Sequence, residues 1–273
     1  MKTVLLTGHL GFIGKNLYTA LTQMGYKVTG VEKDFYTIPN WKTHLYNLVK
    51  QSDYVMHVGA ISDTTLQDSK EMFFYNYTVT KLIVDYASKF ATKVIYSSSA
   101  ANYGLGDGVP NNVYGWSKLA AEDYGLKSEF CTFVALRYFN VYGPGEEHKG
   151  NMASIGYQCY GKEHFKLFPT RNKKIRRDFI YVDDVVQANI RAMGEDVYRG
   201  YYDVGTGEPE TFENFVTGMG VEYSFYPSSK IPSWYQFFTC ADKKKWVPGW
   251  SPVYTLEEGC KKYKNYLDAE DAS

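Results

Sequence analysis

Residues 2–14 read Lys2-Thr3-Val4-Leu5-Leu6-Thr7-Gly8-His9-Leu10-Gly11-Phe12-Ile13-Gly14, a short apolar run that passes directly into three spaced glycines. An apolar run without polar alternation predicts a buried parallel strand. The glycines predict a tight turn and then a helix, which we expect to end near Met24. A second strand, 27–31, ends in Glu32, about 20 residues after the glycines. This order of elements predicts an α/β fold that binds a dinucleotide.

The glycines and the acid meet separate physical demands of such a site. One glycine allows the tight turn, one lets a pyrophosphate approach the helix N-terminus, and one permits close packing of helix on strand. Glu32 can accept a hydrogen bond from a ribose 2′-hydroxyl and repels a 2′-phosphate, which favours NAD over NADP. Lys33 follows directly and is compatible with the phosphate, so NADP stays an alternative. An ordinary solvent-facing acid is the other interpretation of Glu32.

The rest of the chain extends the parallel pattern. We expect strands at 54–58, 93–97, 130–137 and 201–204, a long helix over 70–90, and a second helix over 113–128. A short strand near 176–182 precedes a helix to about Met193 that an aspartate is expected to cap. The segment 34–53 is short for the strand and helix that normally lie there. The pattern predicts a Rossmann-type doubly wound parallel sheet, formed by 1–142 with 179–204, and a smaller C-terminal α/β substrate-binding domain, formed by 143–178 with 205–273.

Composition excludes several classes of partner. The 273 residues carry no formal net charge, so nothing global predicts binding to nucleic acid or to an anionic membrane. The four cysteines lie in no metal-ligand or disulfide pattern, which indicates reduced thiols, a cytoplasmic protein and no metal site. No apolar run approaches the ~20 residues of a membrane span.

Tyr114 and Lys118 are the first candidates for chemistry, because side chains four residues apart share one face of a helix. A phenol beside an ammonium can move protons, and we expect Lys118 to lower the pKa of Tyr114 from about 10. In a chain with 26 tyrosines the pair is equally compatible with an ordinary helix surface. A serine-rich segment, 97–104, ends the preceding strand at the sheet edge where open parallel folds bind ligands.

With the glycine turn, the serine segment and the Tyr114–Lys118 pair in this order, the sequence resembles the extended short-chain dehydrogenase/reductase family of nucleotide-sugar epimerases and dehydratases. The segments 137–144 and 177–185 match further motifs of that family. Segments 147–154, 205–212 and 235–242 are most similar to its 6-epimerases of ADP-heptoses. The resemblance implies a bound NAD or NADP, a nucleotide-sugar substrate of the ADP-heptose kind and a homo-oligomer.

The resemblance also implies roles for individual residues. The implied catalytic residues are Tyr114 as one acid/base, Lys118 at the nicotinamide ribose, Ser99 at the reacting oxygen and Lys149 as a second acid/base. The implied cofactor positions are Gly8, Gly11, Phe12, Ile13, Gly14, Glu32, Lys33, Gly59, Ala60, Ser62, Asn76, Ser97, Tyr114, Lys118 and Val141. The implied substrate positions are Ser62, Ser99, Asn140, Asn151, Gln158, Phe168, Arg177 and Tyr235.

Plainer interpretations stand beside these roles. Ser99 at a strand end is commonly a cap, Lys149 is compatible with an exposed loop, and Arg177 can cap or pair locally, although a guanidinium fork suits a diphosphate. His148 is interpreted as a surface histidine. The sequence also departs from the pattern, since His9 and Leu10 replace small residues of the glycine turn.

Three functions therefore stay open. The first is a nucleotide-sugar epimerase, and the second is a related 4-epimerase or 4,6-dehydratase. Dehydration is disfavoured, because Ala100 and Ala101 follow Ser99 where dehydratases carry an acidic pair. The third is a non-catalytic nucleotide-binding protein, which predicts loss of Ser99, Tyr114 or Lys118.

Overall fold

A central sheet of six parallel strands is present in this computed structural model, which describes residues 1–63, 66, 68–168, 175–227 and 236–272. The strands are β1 (Thr3–Thr7), β2 (Lys27–Val31), β3 (Tyr54–His57), β4 (Lys93–Ser99), β5 (Phe133–Tyr138), β6 (Asn140–Tyr142), β7 (His164–Leu167), β8 (Arg176–Arg177), β9 (Phe179–Tyr181), β10 (Gly200–Val204), β11 (Glu210–Thr211) and β12 (Glu222–Phe225). The order in the large sheet is β10-β5-β4-β3-β1-β2. The strand order reverses beside β1, and ligands bind at such a point in open α/β sheets.

Helices cover both faces of this sheet. The α-helices of the described residues are α1 (Phe12–Gln23), α2 (Trp41–Lys50), α3 (Ser69–Phe73), α4 (Val79–Phe90), α5 (Val113–Lys127), α6 (Ile155–Cys159), α7 (Val182–Ala192), α8 (Phe212–Gly218) and α9 (Leu256–Asp271), of which α6, α8 and α9 pack away from this sheet. On one face Leu17 of α1 and Val185 of α7 pack in a core with Leu6. On the other face Leu45 of α2 and Ile83 of α4 pack in a second core. The predicted doubly wound α/β fold is therefore confirmed.

Among the described residues, three two-stranded sheets lie outside the large one. β6 pairs with β9 and β7 with β12, both in parallel, and β8 pairs with β11 in the antiparallel sense. A third core joins Tyr142, Phe215 and Tyr263 with the buried cysteines Cys159 and Cys260. The division into the two predicted domains stays a prediction.

The long helix expected at 70–90 is interrupted. It begins at Ser69, and a π-helical turn, Phe74–Thr78, separates α3 from α4. A π turn holds an extra residue relative to regular helix and often marks a functional site. The strand expected at 130–137 begins only at Phe133. Between β2 and β3 the chain forms a 3₁₀ turn, Lys33–Thr37, and α2, so this short connection contains no additional strand.

The expected aspartate cap of α7 is wrong. The helix begins after Tyr181 without a side-chain cap, and Asp183 and Asp184 lie in its first turn. Asp184 accepts hydrogen bonds from the main-chain N–H groups of Val253 and Tyr254, at 2.8 and 3.1 Å. A carboxylate in the first turn is favoured by the helix dipole, and here it also holds the segment that leads into α9.

Across the described residues, every helix is too short or too polar to cross a membrane.

Candidate active site

The glycine turn after β1 accepts only glycine at two positions. Gly8 has φ +71°, and a Cβ there would lie 2.6 Å from the Cα of Gly59. A Cβ on Gly14 would lie 1.8 Å from the carbonyl oxygen of Gly8. Helix α1 begins beyond Gly11 with no side-chain cap and no acid in its first turn. Its first N–H groups are therefore available to an anion, and this cradle fits the pyrophosphate of a dinucleotide.

A cavity runs from the glycine turn to Tyr114 on α5. The predicted cofactor residues that line it are Gly8, Gly11, Phe12, Ile13, Gly14, Glu32, Lys33, Gly59, Ala60, Ser62, Ser97, Tyr114 and Lys118. Val141 does not line this cavity; it lines a neighbouring one. Asn76 lines neither. The described structure thus brings nearly all of the predicted cofactor positions into one cleft, and we call it the cofactor cavity.

Asn76 lies behind the cleft, in the π-helical turn. Its side-chain oxygen accepts from the N–H of Ile61 at 2.8 Å, and its amide nitrogen donates to the carbonyl of Ile61 at 3.0 Å. The same nitrogen donates to the hydroxyl of Ser117 at 3.0 Å. Asn76 therefore connects the loop after β3 to the helix that carries Tyr114 and Lys118.

Burial dominates the electrostatics of Lys118 and Tyr114. The ammonium of Lys118 donates to the carbonyl of Ser97 at 2.7 Å and lies 4.8 Å from the ring centroid of Tyr96. Burial lowers the pKa of Lys118 to about 7. Burial also raises the pKa of Tyr114, and a hydrogen bond from Ser99 opposes that rise. The expected lowering of the Tyr114 pKa by Lys118 is therefore wrong in direction, because burial disfavours the charged phenolate.

One of the serines at the end of β4 is hydrogen-bonded to a buried ion pair. Ser98 donates to the carboxylate of Glu122 at 2.5 Å, and Glu122 also pairs with Arg137. Glu122 and Arg137 are 1% and 8% exposed, so the pair is shielded from water. The hydroxyl of Ser99 accepts from the N–H of Ala101 at 3.1 Å. Ser99 thus caps the turn after β4 in addition to contacting Tyr114.

A second cavity of about 610 Å³ adjoins the first. This volume is within the range of about 300–1,000 Å³ that is usual for small-molecule sites. The predicted substrate residues that line it are Ser62, Ser99, Asn140, Gln158 and Phe168. Its wall is rich in aromatic side chains, with Phe165, Phe179, Phe212 and Tyr226 beside Phe168. We call it the substrate cavity.

Two predicted substrate residues lie outside that wall. Asn151 is exposed, and its carbonyl accepts from the side-chain amide of Gln158 at 3.1 Å. Arg177 is 7% exposed and donates to the carbonyl of Gln236. Its guanidinium carbon lies 5.9 Å from the ring centroid of Phe212, which does line the cavity. Tyr235 lies outside the described residues.

Tyr114 and Lys149 both stand where the two cavities meet. The residues that line both are Phe12, Ile13, Ser62, Ser98, Tyr114, Tyr138 and Lys149. The Lys149 ammonium lies 5.1 Å from the ring centroid of Phe12 and makes no hydrogen bond or ion pair to any described residue. Burial lowers its pKa, against the opposing charge of Glu146.

Glu146 anchors the loop that carries Lys149. This fully buried carboxylate accepts from the N–H and hydroxyl of Ser154, at 2.6 and 2.5 Å, and from the hydroxyl of Tyr263 on α9 at 2.9 Å. The carbonyl of Glu146 accepts from the N–H of Lys149 at 3.0 Å. Lys149 therefore follows, after one short turn, a carboxylate that is fixed by its own hydrogen bonds.

Several lining residues were not predicted from sequence. Tyr36 and Tyr75 line the cofactor cavity near Glu32, and the Tyr36 hydroxyl is buried without a hydrogen-bond partner among the described residues. His148, interpreted from sequence as a surface residue, is exposed and also lines this cavity. Tyr138, whose hydroxyl donates to Asn189 at 2.9 Å, lines both cavities. The chain is rich in tyrosine, so the sequence signal that could have identified Tyr36 is its position a few residues after Glu32.

Comparison with known proteins identifies the family of the chain. The model of the NAD-dependent epimerase/dehydratase family matches residues 4–205, and the chain belongs to that family. NAD as cofactor, predicted from Glu32 and from the resemblance, is thereby confirmed at the level of the family.

Solved structures similar to the chain include several sugar-nucleotide epimerases. The ADP-L-glycero-D-manno-heptose-6-epimerase of Helicobacter pylori is 29% identical with a TM-score of 0.84, over 98% of this chain and 96% of that one. A UDP-N-acetylglucosamine 4-epimerase from Methanobrevibacter ruminantium is 23% identical with a TM-score of 0.83, over 98% and 99% of the two chains. The UDP-glucose 4-epimerase of Thermotoga maritima is 22% identical with a TM-score of 0.80, again over 98% and 99%. The last two share the fold.

Proposed function

We propose that the chain is a nucleotide-sugar epimerase that works through a transient keto-sugar, and that its substrate resembles ADP-glycero-manno-heptose. The observation that carries this proposal is that two titratable side chains, Tyr114 and Lys149, stand at the junction of the cofactor and substrate cavities. Inverting a carbon through a ketone requires hydride to leave from one face and return to the other, while the ketone oxygen exchanges a proton in each orientation. Two separate acid/base groups meet that need better than one.

The cofactor supplies the redox chemistry when it is bound, since NAD accepts a hydride and can return it. Glu32 and the glycine turn would hold its adenosine and pyrophosphate, and Lys118 its nicotinamide ribose. The phenolate of Tyr114 would take the proton of a sugar hydroxyl as the ketone forms, and the resulting phenol would give one back as the ketone is reduced. Ser99 would donate a hydrogen bond to the same oxygen.

Lys149 would do the corresponding work from the other face of the ketone. Its ammonium is partly desolvated and makes no hydrogen bond within the described chain, so no protein contact has to break before it donates. A pKa lowered by burial brings an amine closer to the working pH of a general acid/base. Glu146 keeps its loop in place without forming an ion pair with the ammonium.

The ADP-heptose part of the proposal is supported by the similarity to the Helicobacter pylori enzyme, at 29% identity over nearly the whole of both chains. A 4-epimerase acting on another sugar nucleotide is the alternative, and it would use the same residues. A dehydratase is less well supported, because Ala100 and Ala101 offer no acid or base beside Ser99. A homo-oligomer and a cytoplasmic location stay predictions.

The test is incubation of the protein and NAD with ADP-heptose, UDP-glucose, UDP-N-acetylglucosamine and a GDP-hexose, with stereochemistry followed by ¹H NMR. We expect interconversion of the two C6 epimers of the ADP-heptose. Inversion at C4 of a UDP-sugar would instead support the alternative. If every sugar nucleotide is unchanged while calorimetry shows that NAD binds, the remaining interpretation is a non-catalytic nucleotide-binding protein. Tyr114→Phe is the inactive control.

A further inference from the structure

His9, one of the two large residues in the glycine turn, lies against the acid at the end of β2. Its ring nitrogen Nδ1 is 3.0 Å from Oε1 of Glu32. The main-chain N–H of Leu10 donates to the same oxygen at 2.6 Å. The second carboxylate oxygen, Oε2, makes no hydrogen bond to any described residue. One oxygen of Glu32 is therefore held by the turn while the other is left available.

The position of the His9 ring is set by a glycine in the neighbouring strand. A Cβ on Gly30 would lie 2.4 Å from both Cγ and Cδ2 of His9 and 2.5 Å from Nδ1, so the ring lies face-on over this residue. Glycine inside a strand costs stability and often marks a close approach by another group. The ring of Tyr18 on α1 lies 5.8 Å away. The imidazole is thus confined between α1 and β2, with Nδ1 beside the carboxylate.

The contact is a short polar approach of the imidazole nitrogen to the carboxylate. The ring N–H direction is not aligned with Oε1, so Nδ1 has no regular hydrogen bond despite the short distance. Lys33, the cation next to Glu32 in sequence, pairs with Glu71 at 2.7 Å and lies 4.8 Å from the ring centroid of Tyr75. His9 is therefore the side chain placed to fix the Glu32 carboxylate.

We propose that His9 is a positioning residue for Glu32 and a determinant of cofactor selectivity. Together with the Leu10 N–H it holds Oε1, which leaves Oε2 to accept a hydroxyl of the adenosine ribose. A carboxylate has about four acceptor sites, so both tasks are compatible. Prior fixation lowers the entropy cost of binding and keeps the negative charge where a 2′-phosphate would lie. The inference rests on the proposed role of Glu32 toward NAD and not on the nucleotide-sugar chemistry.

The experiment is a double-mutant cycle measured by calorimetric titration with NAD and NADP. His9→Phe keeps a flat ring over Gly30 and removes the nitrogens, whereas His9→Asn retains a donor near the position of Nδ1. We expect His9→Phe to weaken NAD binding about 3- to 10-fold, the range of one ordinary hydrogen bond, because Nδ1 approaches Oε1 without a regular charge-assisted one. We expect His9→Asn to recover most of that loss. The ratio of NAD to NADP affinity should fall with His9→Phe.

The same substitution in Glu32→Gln protein distinguishes a positioning role of His9 from a packing role. In Glu32→Gln protein, His9→Phe should change NAD affinity by less than about twofold, because the charge it positions is gone. An equal loss in both backgrounds would overturn the proposal, as would unchanged affinity for NAD in the parent background. If the phenylalanine variant does not fold, judged by thermal denaturation, His9→Leu takes its place. These titrations need no turnover, so they decide the role of His9 even if every sugar nucleotide is left unchanged.

Discussion

Replacing Lys149 by methionine tests whether the site inverts a sugar with two acid/base groups or is a generic oxidoreductase site that uses Tyr114 alone. Methionine keeps most of the apolar stem and removes the ammonium. The Lys149 ammonium makes no hydrogen bond or ion pair to the described residues, so its removal leaves no buried partner unsatisfied. The lost cation–π contact with Phe12 is worth about 0.5–1 kcal/mol. We therefore expect little change in the free energy of unfolding.

The effect on turnover should be far larger. A positioned general acid/base contributes about 10²- to 10⁴-fold, which corresponds to roughly 3–5 kcal/mol of activation free energy. We expect Lys149→Met to lower the rate of epimer interconversion by at least about 10²-fold. NAD affinity should stay within about threefold of the parent, because Glu32, the glycine turn and Lys118 are untouched.

The assay follows both epimers by ¹H NMR, using the sugar nucleotide that the parent inverts. Lys162→Met is the matched control, because the Lys162 ammonium lies 5.0 Å from the ring centroid of Phe165 but does not line either cavity. It should retain the parental rate. Folded Lys149→Met protein that interconverts the epimers within about threefold of the parent rate would refute a proton-transfer role for Lys149.

Three further changes test the surroundings of the site. Burial holds the pKa of Lys118 at about 7, below its value near 10.4 in the unfolded chain. Between these two pH values the unfolded chain binds more protons than the folded chain. Lys118 therefore adds to the stability of the parent as the pH rises from about 7 toward about 10. Urea unfolding at pH 7 and 9 should show a smaller gain for Lys118→Met, and equal gains would contradict the lowered pKa. Glu122→Gln leaves Arg137 buried without a counter-charge and should cost about 3–5 kcal/mol in urea unfolding, whereas a loss under about 1 kcal/mol would show the pair to be weak. Tyr36→Phe removes the unpartnered hydroxyl in the cofactor cavity and should weaken NAD binding about 3- to 10-fold by calorimetry; unchanged affinity would exclude a cofactor contact.

The sequence predicts features that depend on local geometry and on the parallel sheet. Gly8 is required by its positive φ and Gly14 by its close approach to the carbonyl of Gly8, both of them local features of the turn. The ends of β3 and β4 meet at one sheet edge by topology. The Tyr114–Lys118 pair follows from the helical repeat. These features repeat wherever the fold occurs, so their spacing, taken with the order of the motifs along the chain, predicts them.

The features that sequence reasoning missed depend on tertiary environment. Lys118 is 2% exposed, and no spacing rule reveals that burial lowers its pKa and raises that of Tyr114. Asp184 binds the chain before α9, some 70 residues away, instead of capping its own helix. Asn76 matches a cofactor position in sequence but contacts the main chain of Ile61 behind the cleft.

The π-helical turn at Phe74–Thr78 depends on the number of residues in this helical segment, so that number cannot change without moving side chains. Each residue of a regular helix turns the chain by about 100°, so removing one residue from the turn would restore the regular repeat and rotate Asn76 away from Ile61 and Ser117. The loop at Ile61 and helix α5 would then lose the side chain that links them. A one-residue deletion here would disturb both walls of the cofactor cavity while leaving every residue that lines it in the sequence.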